Sequence, residues 1–92
     1  QETLLHLAAE NGDAGLVSFL LQQSFSQEWL HQGDSDGKIP LHRAVWLNPK
    51  PAVVSALIAA GTRVDTTNNY GYTALHWAAK HGHVESARQL LA

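Results

Sequence analysis

Ninety-two residues make at most one domain, with a core that removes roughly 60–65% of the unfolded surface from water. Six Lys and Arg stand against eight Asp and Glu, scattered singly with a formal net charge of −2, so no basic block exists for a nucleic-acid partner. No Cys is available for a disulfide or a thiolate metal site, and no apolar run approaches the roughly 18 residues of a membrane span.

Taken in chain order, Thr3 is an N-cap whose hydroxyl can accept from a free backbone N–H of the first turn. Leu4, Leu5, Ala8 and Ala9 follow as an apolar stripe at helical spacing, and Gly12 stops the helix. Asp13 caps a second helix with the stripe Leu16, Val17, Leu20 and Leu21. Helices of about eight or nine residues do not stand alone in water, so packing must hold them. Residues 24–31 form a longer connection, in which Phe25, Trp29 and Leu30 are too apolar for a free loop and are expected to fold back on the helix ends. Asp34-Ser35-Asp36-Gly37 is a turn signal, and Pro40 suits a first helical position. The helix it opens is expected to run to about Leu47, where Asn48-Pro49 breaks it. Pro51 opens the next, with the stripe Val53, Val54, Leu57 and Ile58, and Gly61 ends it. Asn68-Asn69-Tyr70-Gly71 is a second turn signal. Thr73 then caps, Gly82 terminates, and a last helix starts near Val84 and runs to the chain end.

Within these elements one motif recurs. Residues 3–9, 39–45 and 73–79 each carry a His followed by small residues, and His6, His42 and His76 stand 36 and 34 residues apart. A period in the thirties means stacked repeats, which bury a continuous core between neighbours and present one long surface suited to binding.

The residues that carry this period resemble the ankyrin repeat. The third unit has Gly71, Thr73, Leu75, His76, Ala78, Ala79, Gly82, His83, Glu85, Leu90 and Leu91 in register. The second has Asp34, Gly37, Pro40, Leu41, His42, Ala44, Leu57, Ile58, Gly61 and Val64, and the first Thr3, Leu5, His6, Ala8, Ala9, Gly12, Leu20 and Leu21. The resemblance implies an all-α solenoid of stacked helix-turn-helix units joined by hairpin-like turns, with repeats at 1–33, 34–67 and 68–92, the first and last partial. A start at Gln1 and the lack of any Met are those expected of a piece of a longer chain. Several positions depart from the family pattern. Ile39 replaces a capping Thr, a loss of about 1 kcal/mol. Leu4 and Ala74 replace Pro, residues 48–51 replace a Gly-His link, and Arg63 and Asp65 alter the Ala-Asp-Val-Asn hairpin.

The six His invite a metal or general-base reading. By resemblance His6, His42 and His76 bond the cap and the neighbouring repeat's backbone instead. His76, His81 and His83 lack a carboxylate or thiolate co-ligand for zinc. No Ser lies in a nucleophile-elbow context, no Gly-rich phosphate loop exists, and no carboxylate pair is placed for acid–base work, so no enzyme activity and no cofactor are expected.

What the resemblance does imply is an intracellular module that binds another protein through its concave face, built from hairpin tips and first helices. Carried onto this chain, that face holds Ser35, Asp36, Lys38, Trp46 and Leu47, then Asn69, Tyr70, Tyr72, Lys80 and His81, with Glu2, Glu10 and Asn11 at the first unit. Of these, Ser35, Asp36, Lys38, Trp46, Leu47, Tyr70, Tyr72, Lys80 and His81 are the expected partner-binding residues, with Trp46 and Tyr72 as anchors and Lys38, Lys80 and His81 at the rim. Trp77 directly follows the motif His and reads as structural. The alternative function is a spacer whose array makes its contacts elsewhere. A third implication is modification at Asp65, since an asparaginyl hydroxylase of such repeats favours a Leu eight residues before its target, here Leu57. Interior-type stripes at both ends predict self-association, or stability gained from flanking sequence.

Overall fold

The computed structural model describes residues 2–46 and 49–92. Seven helices follow one another: α1 (Leu4–Asn11), α2 (Ala14–Leu21), α3 (Ser26–Leu30), α4 (Pro40–Ala44), α5 (Pro51–Ala59), α6 (Ala74–His81) and α7 (Val84–Leu91). No strand occurs among the described residues, and none of these helices is long and apolar enough to cross a membrane. Three antiparallel pairs, α1–α2, α4–α5 and α6–α7, stack in two rows. The inner row is α1, α4, α6 and the outer row is α2, α5, α7. The core runs unbroken through the stack, from Leu5, Ala8, Val17 and Leu20 through Leu41, Ala44, Val53, Val54 and Leu57 to Ala78 and Leu90.

Local chemistry sets the pairs. The Thr3 hydroxyl accepts from the His6 backbone N–H, and the Thr73 hydroxyl from that of His76. In return, the ring Nδ1 of each His accepts from the backbone N–H of its Thr. Gly12 and Gly82 close α1 and α6 at φ 76° and 69°, where a Cβ would clash with the chain's own carbonyl. Asp13 caps α2 through the Leu16 N–H, as expected.

The second pair departs in a way that matters for the site. Ile39 has no hydroxyl, so only the His42 half of the cap survives, with the Ile39 N–H donating to Nδ1 at 3.1 Å. Ile39 is buried instead. The first helix was expected to reach Leu47, but α4 ends at Ala44, and Val45 and Trp46 lie in a turn. Pro49 and Pro51 follow, and neither has a backbone N–H to carry a helix onward.

Between Leu21 and Asp34 the extra residues form α3, with Leu30 fully buried. Trp29 is half-buried and Phe25 stacks on it at 4.3 Å, so the segment folds back as its composition predicts. The stripes are narrower than expected. Leu4 and Leu16 face solvent while Leu5 and Val17 take the core positions. Leu75 stands at the repeat position of the buried Leu5 and Leu41 but is only half-buried, with no further helix pair against the outer side of α6 among the described residues.

Two hairpin-like turns project beside the inner row. In the first, Asp34 Oδ1 accepts from the N–H groups of Asp36 and Lys38 at 2.9 Å each. Asn68 Oδ1 does the same for Tyr70 and Tyr72, at 2.8 and 3.0 Å. The tips are tied together by Asn69, whose N–H donates to the Asp36 carbonyl at 2.8 Å. Gly37 is required there. Its φ is 77°, and a Cβ would sit 2.9 Å from the Asn69 backbone nitrogen.

Candidate functional site

The concave face is a small grid. Steps of 36 and then 34 residues place Glu2, Lys38 and Tyr72 in one row, Leu7, Arg43 and Trp77 in the next, and Glu10, Trp46 and Lys80 in a third. Side chains pair across the columns, and two seams of different chemistry result.

The first seam is ionic. Arg43 on α4 bridges Glu2 and Glu10 of the first column, and Asp34 lies 3.7 Å away. The guanidinium is only 10% exposed. Burial pulls its pKa down, but the bonds to Glu2 and Glu10 outweigh that and the net shift is upward. Burial would likewise raise the pKa of Asp34, yet the two backbone N–H groups held by its carboxylate bring it below its ordinary 3.8. A cleft of about 330 Å³ opens here between Glu2, Asp34, Asp36, Lys38, Arg43 and Trp46.

The second seam is aromatic. Trp77 sits at its centre, with Trp46 at 5.8 Å, Tyr72 edge-on at 5.3 Å and His81 stacked parallel at 6.0 Å. Lys38 lays its ammonium 3.2 Å from the Trp46 ring centroid and 5.9 Å from that of Trp77. Lys80 approaches Trp77 at 5.8 Å. A cleft of about 180 Å³ lies between Tyr72, His76, Trp77 and Lys80.

The shortened α4 explains this seam. With its last turn unwound, Trp46 leans across the gap onto Trp77. The Trp46 carbonyl, freed from helical pairing, accepts from His83 Nε2 at 3.3 Å. That bond and the stack of His81 on Trp77 commit two members of the His76–His83 cluster to packing roles.

The motif histidines divide by position in the stack. His6 Nε2 donates to the Lys38 carbonyl at 2.7 Å, and His42 Nε2 to the Thr66 carbonyl at 2.8 Å. In each ring Nδ1 accepts from backbone, which fixes the proton on Nε2. Burial dominates both and drives their pKa below the ordinary 6.5, against the carbonyl bonds that favour the charged ring. His76 makes the same cap bonds but lies exposed, with nothing bonded to Nε2 among the described residues.

Of the expected partner-binding residues, Trp46, Tyr72, Lys80 and His81 come together around Trp77. Ser35 and Asp36 lie at the first hairpin tip, and Tyr70 is 69% exposed at the second. Leu47 lies outside the described residues. Lys38 departs from the expectation of a rim charge, being only 7% exposed because Trp46 covers it. Trp77, read as structural, packs at the centre of this cluster, and Arg43 was not among the expected residues. The grid was the available signal, since a residue 34 beyond Arg43 must stand beside it on the next unit.

A family model described as ankyrin repeats in three copies matches residues 1–68, and one described as ankyrin repeats in many copies matches residues 47–91. This chain belongs to the ankyrin-repeat family. It is 39% identical over 92 residues to tyrosine-protein kinase Shark of Drosophila melanogaster, covering 98% of this chain and 9% of the kinase. It is 34% identical to human inversin, covering 99% of this chain and 8% of inversin. Mouse nuclear factor NF-kappa-B p105 subunit is 32% identical over 90 residues, covering 97% of this chain and 9% of that protein. The chain thus spans less than a tenth of these relatives, and what it shares with them is their ankyrin region. Ankyrin repeats are protein-interaction modules and generally carry no catalytic machinery.

Proposed function

We propose that this ankyrin region binds another protein through its concave face, inside the cell, with Trp77, Trp46 and Tyr72 as the anchors and Ser35, Asp36, Lys38, Tyr70, Lys80 and His81 around them. The observation that carries the reading is the aromatic seam. Three large rings cluster on the concave side, and Tyr72 is still 41% exposed. Aromatic side chains remove much area from water at little entropic cost, which is why they dominate binding hot spots. Under this reading the units are 1–33, 34–67 and 68–92, and exposed Leu4 and Leu91 favour contacts between chains or with flanking sequence.

One observation favours the spacer alternative. Trp46 and Trp77 already pack on each other and on Lys38, which uses part of the aromatic area internally. A quantitative pull-down separates the two. Proteins retained by the unchanged chain should be retained by the convex-side control Arg88→Ala and lost by the double variant Tyr72→Ala/Lys80→Ala. Truncating an anchor should weaken binding by about 2 kcal/mol or more. Equal retention by both variants would support the spacer.

A further inference from the structure

We infer that the aromatic seam selects a carboxylate-bearing side chain, so that the partner presents an acidic residue flanked by apolar ones; this rests on the concave-face reading above. Lys80, His76 and Trp77 line the 180 Å³ cleft and carry donors without acceptors among the described residues. Lys80 lines it and has no carboxylate within 4 Å among the described residues. His76 lines it with a free Nε2–H, where His6 and His42 each have a carbonyl. Trp77 has a buried indole N–H with no hydrogen-bond partner among the described residues. At the far side of the two Trp rings lies the Lys38 ammonium, on a residue 93% withdrawn from water, held by ring faces and by no carboxylate.

The neighbouring acids do not supply the missing acceptor. Glu2, Glu10 and Asp34 are committed to Arg43 in the other seam, and no carboxylate lines the Tyr72–Trp77–Lys80 cleft. A buried donor without an acceptor is costly, and a charge-assisted acceptor relieves that cost best. The Tyr72 and Trp77 faces give the flanking apolar side chains a surface to cover. The ionic seam, with three carboxylates around one guanidinium, repels the same acidic residue and so orients the bound segment toward the third unit.

Three capped tripeptides test this: Ac-Leu-Glu-Leu-NH2, its Gln counterpart and its Lys counterpart. Each is titrated into the isotope-labelled 92-residue chain while the NMR signals of the Trp77 indole, the His76 ring and the Lys80 ammonium are followed. The expected result is saturable shifts at these groups with the Glu peptide, at an affinity about fivefold tighter than with Gln, a gap that closes as salt is raised. Lys80→Gln, an exposed substitution that leaves the fold intact, should remove most of the gap. If Gln binds as tightly as Glu at the same residues, the carboxylate preference is wrong and the concave-face reading stands. If the Lys peptide binds best and the shifts appear at Glu2 and Glu10, the preference is the opposite one. If no peptide shifts any concave-face signal, both readings fall.

Discussion

Between α1 and α4 the concave face is ionic and its charges are paired within the chain, and between α4 and α6 it is aromatic and presents donors that the described residues leave unpaired. In the first seam Arg43 satisfies Glu2, Glu10 and Asp34, and His6 spends its second nitrogen on the Lys38 carbonyl. In the second, α4 stops early, Trp46 tips onto Trp77, and the polar groups of Lys38, Lys80, His76 and the Trp77 indole find no acceptor among the described residues. Both seams use the same rows of the scaffold. What differs is whether the groups find partners within the chain. A repeat position therefore does not fix a side chain's job. The residue one column over does.

The largest effect that could break this contrast lies in the core beneath it. Leu41 is fully buried between the seams, and Leu41→Ala should lose about 2–5 kcal/mol in urea melts. Leu75, its equivalent one unit on, is half-buried, and Leu75→Ala should lose less than half as much. Equal losses would mean that the two seams are packed alike.

The histidines sharpen the same contrast at smaller scale. His42→Ala strands the Thr66 carbonyl and the Ile39 N–H and should lower stability by about 1–3 kcal/mol. His76→Ala removes only the exposed cap bonds, so its loss should be smaller, under about 1 kcal/mol. Neither stability should respond to zinc or a chelator, and a melting temperature raised by zinc would contradict the structural role. Arg43→Gln should cost about 1–2 kcal/mol, because it leaves three carboxylates facing one another.

His6 and His42 also give the stack a pH dependence. Their folded pKa values lie below the ordinary 6.5. When the pH is between the folded and unfolded values, the unfolded chain binds more protons, so stability rises with pH across that window. It should be fully present above 6.5 and decline as the pH falls below that value. His42→Ala should flatten the decline. A pH profile unchanged by His42→Ala would remove burial as the cause.

Most of the fold was legible in the sequence because it follows from rules that act within a few residues. Thr3 with His6, Thr73 with His76, and Gly12 and Gly82 each specify a helix end on their own. The early stop of α4 was less legible. The helix stops at Ala44, five residues before Pro49, where the sequence carries no breaker of its own. The site was legible in part. Trp46, Tyr72, Lys80 and His81 could be carried over by register, and the structure gathers them. Arg43 was legible only through the grid, because its three acids come from α1, its leading edge and a hairpin turn. Lys38 read as a surface charge because composition does not reveal that the Trp eight residues later covers it. The half-burial of Leu75 is not legible locally, because its repeat position is a core position in the units before it.

The contrast between the seams is tested most directly by measuring retention of the same captured protein on Arg43→Gln and on Tyr72→Ala, at a temperature where both variants are folded. Arg43→Gln, in the ionic seam, should hold the protein as well as the unchanged chain does. Tyr72→Ala, in the aromatic seam, should lose it while its melt stays within about 0.5 kcal/mol of the parent. Loss on Arg43→Gln with full retention on Tyr72→Ala would put the binding surface on the ionic seam and contradict the account.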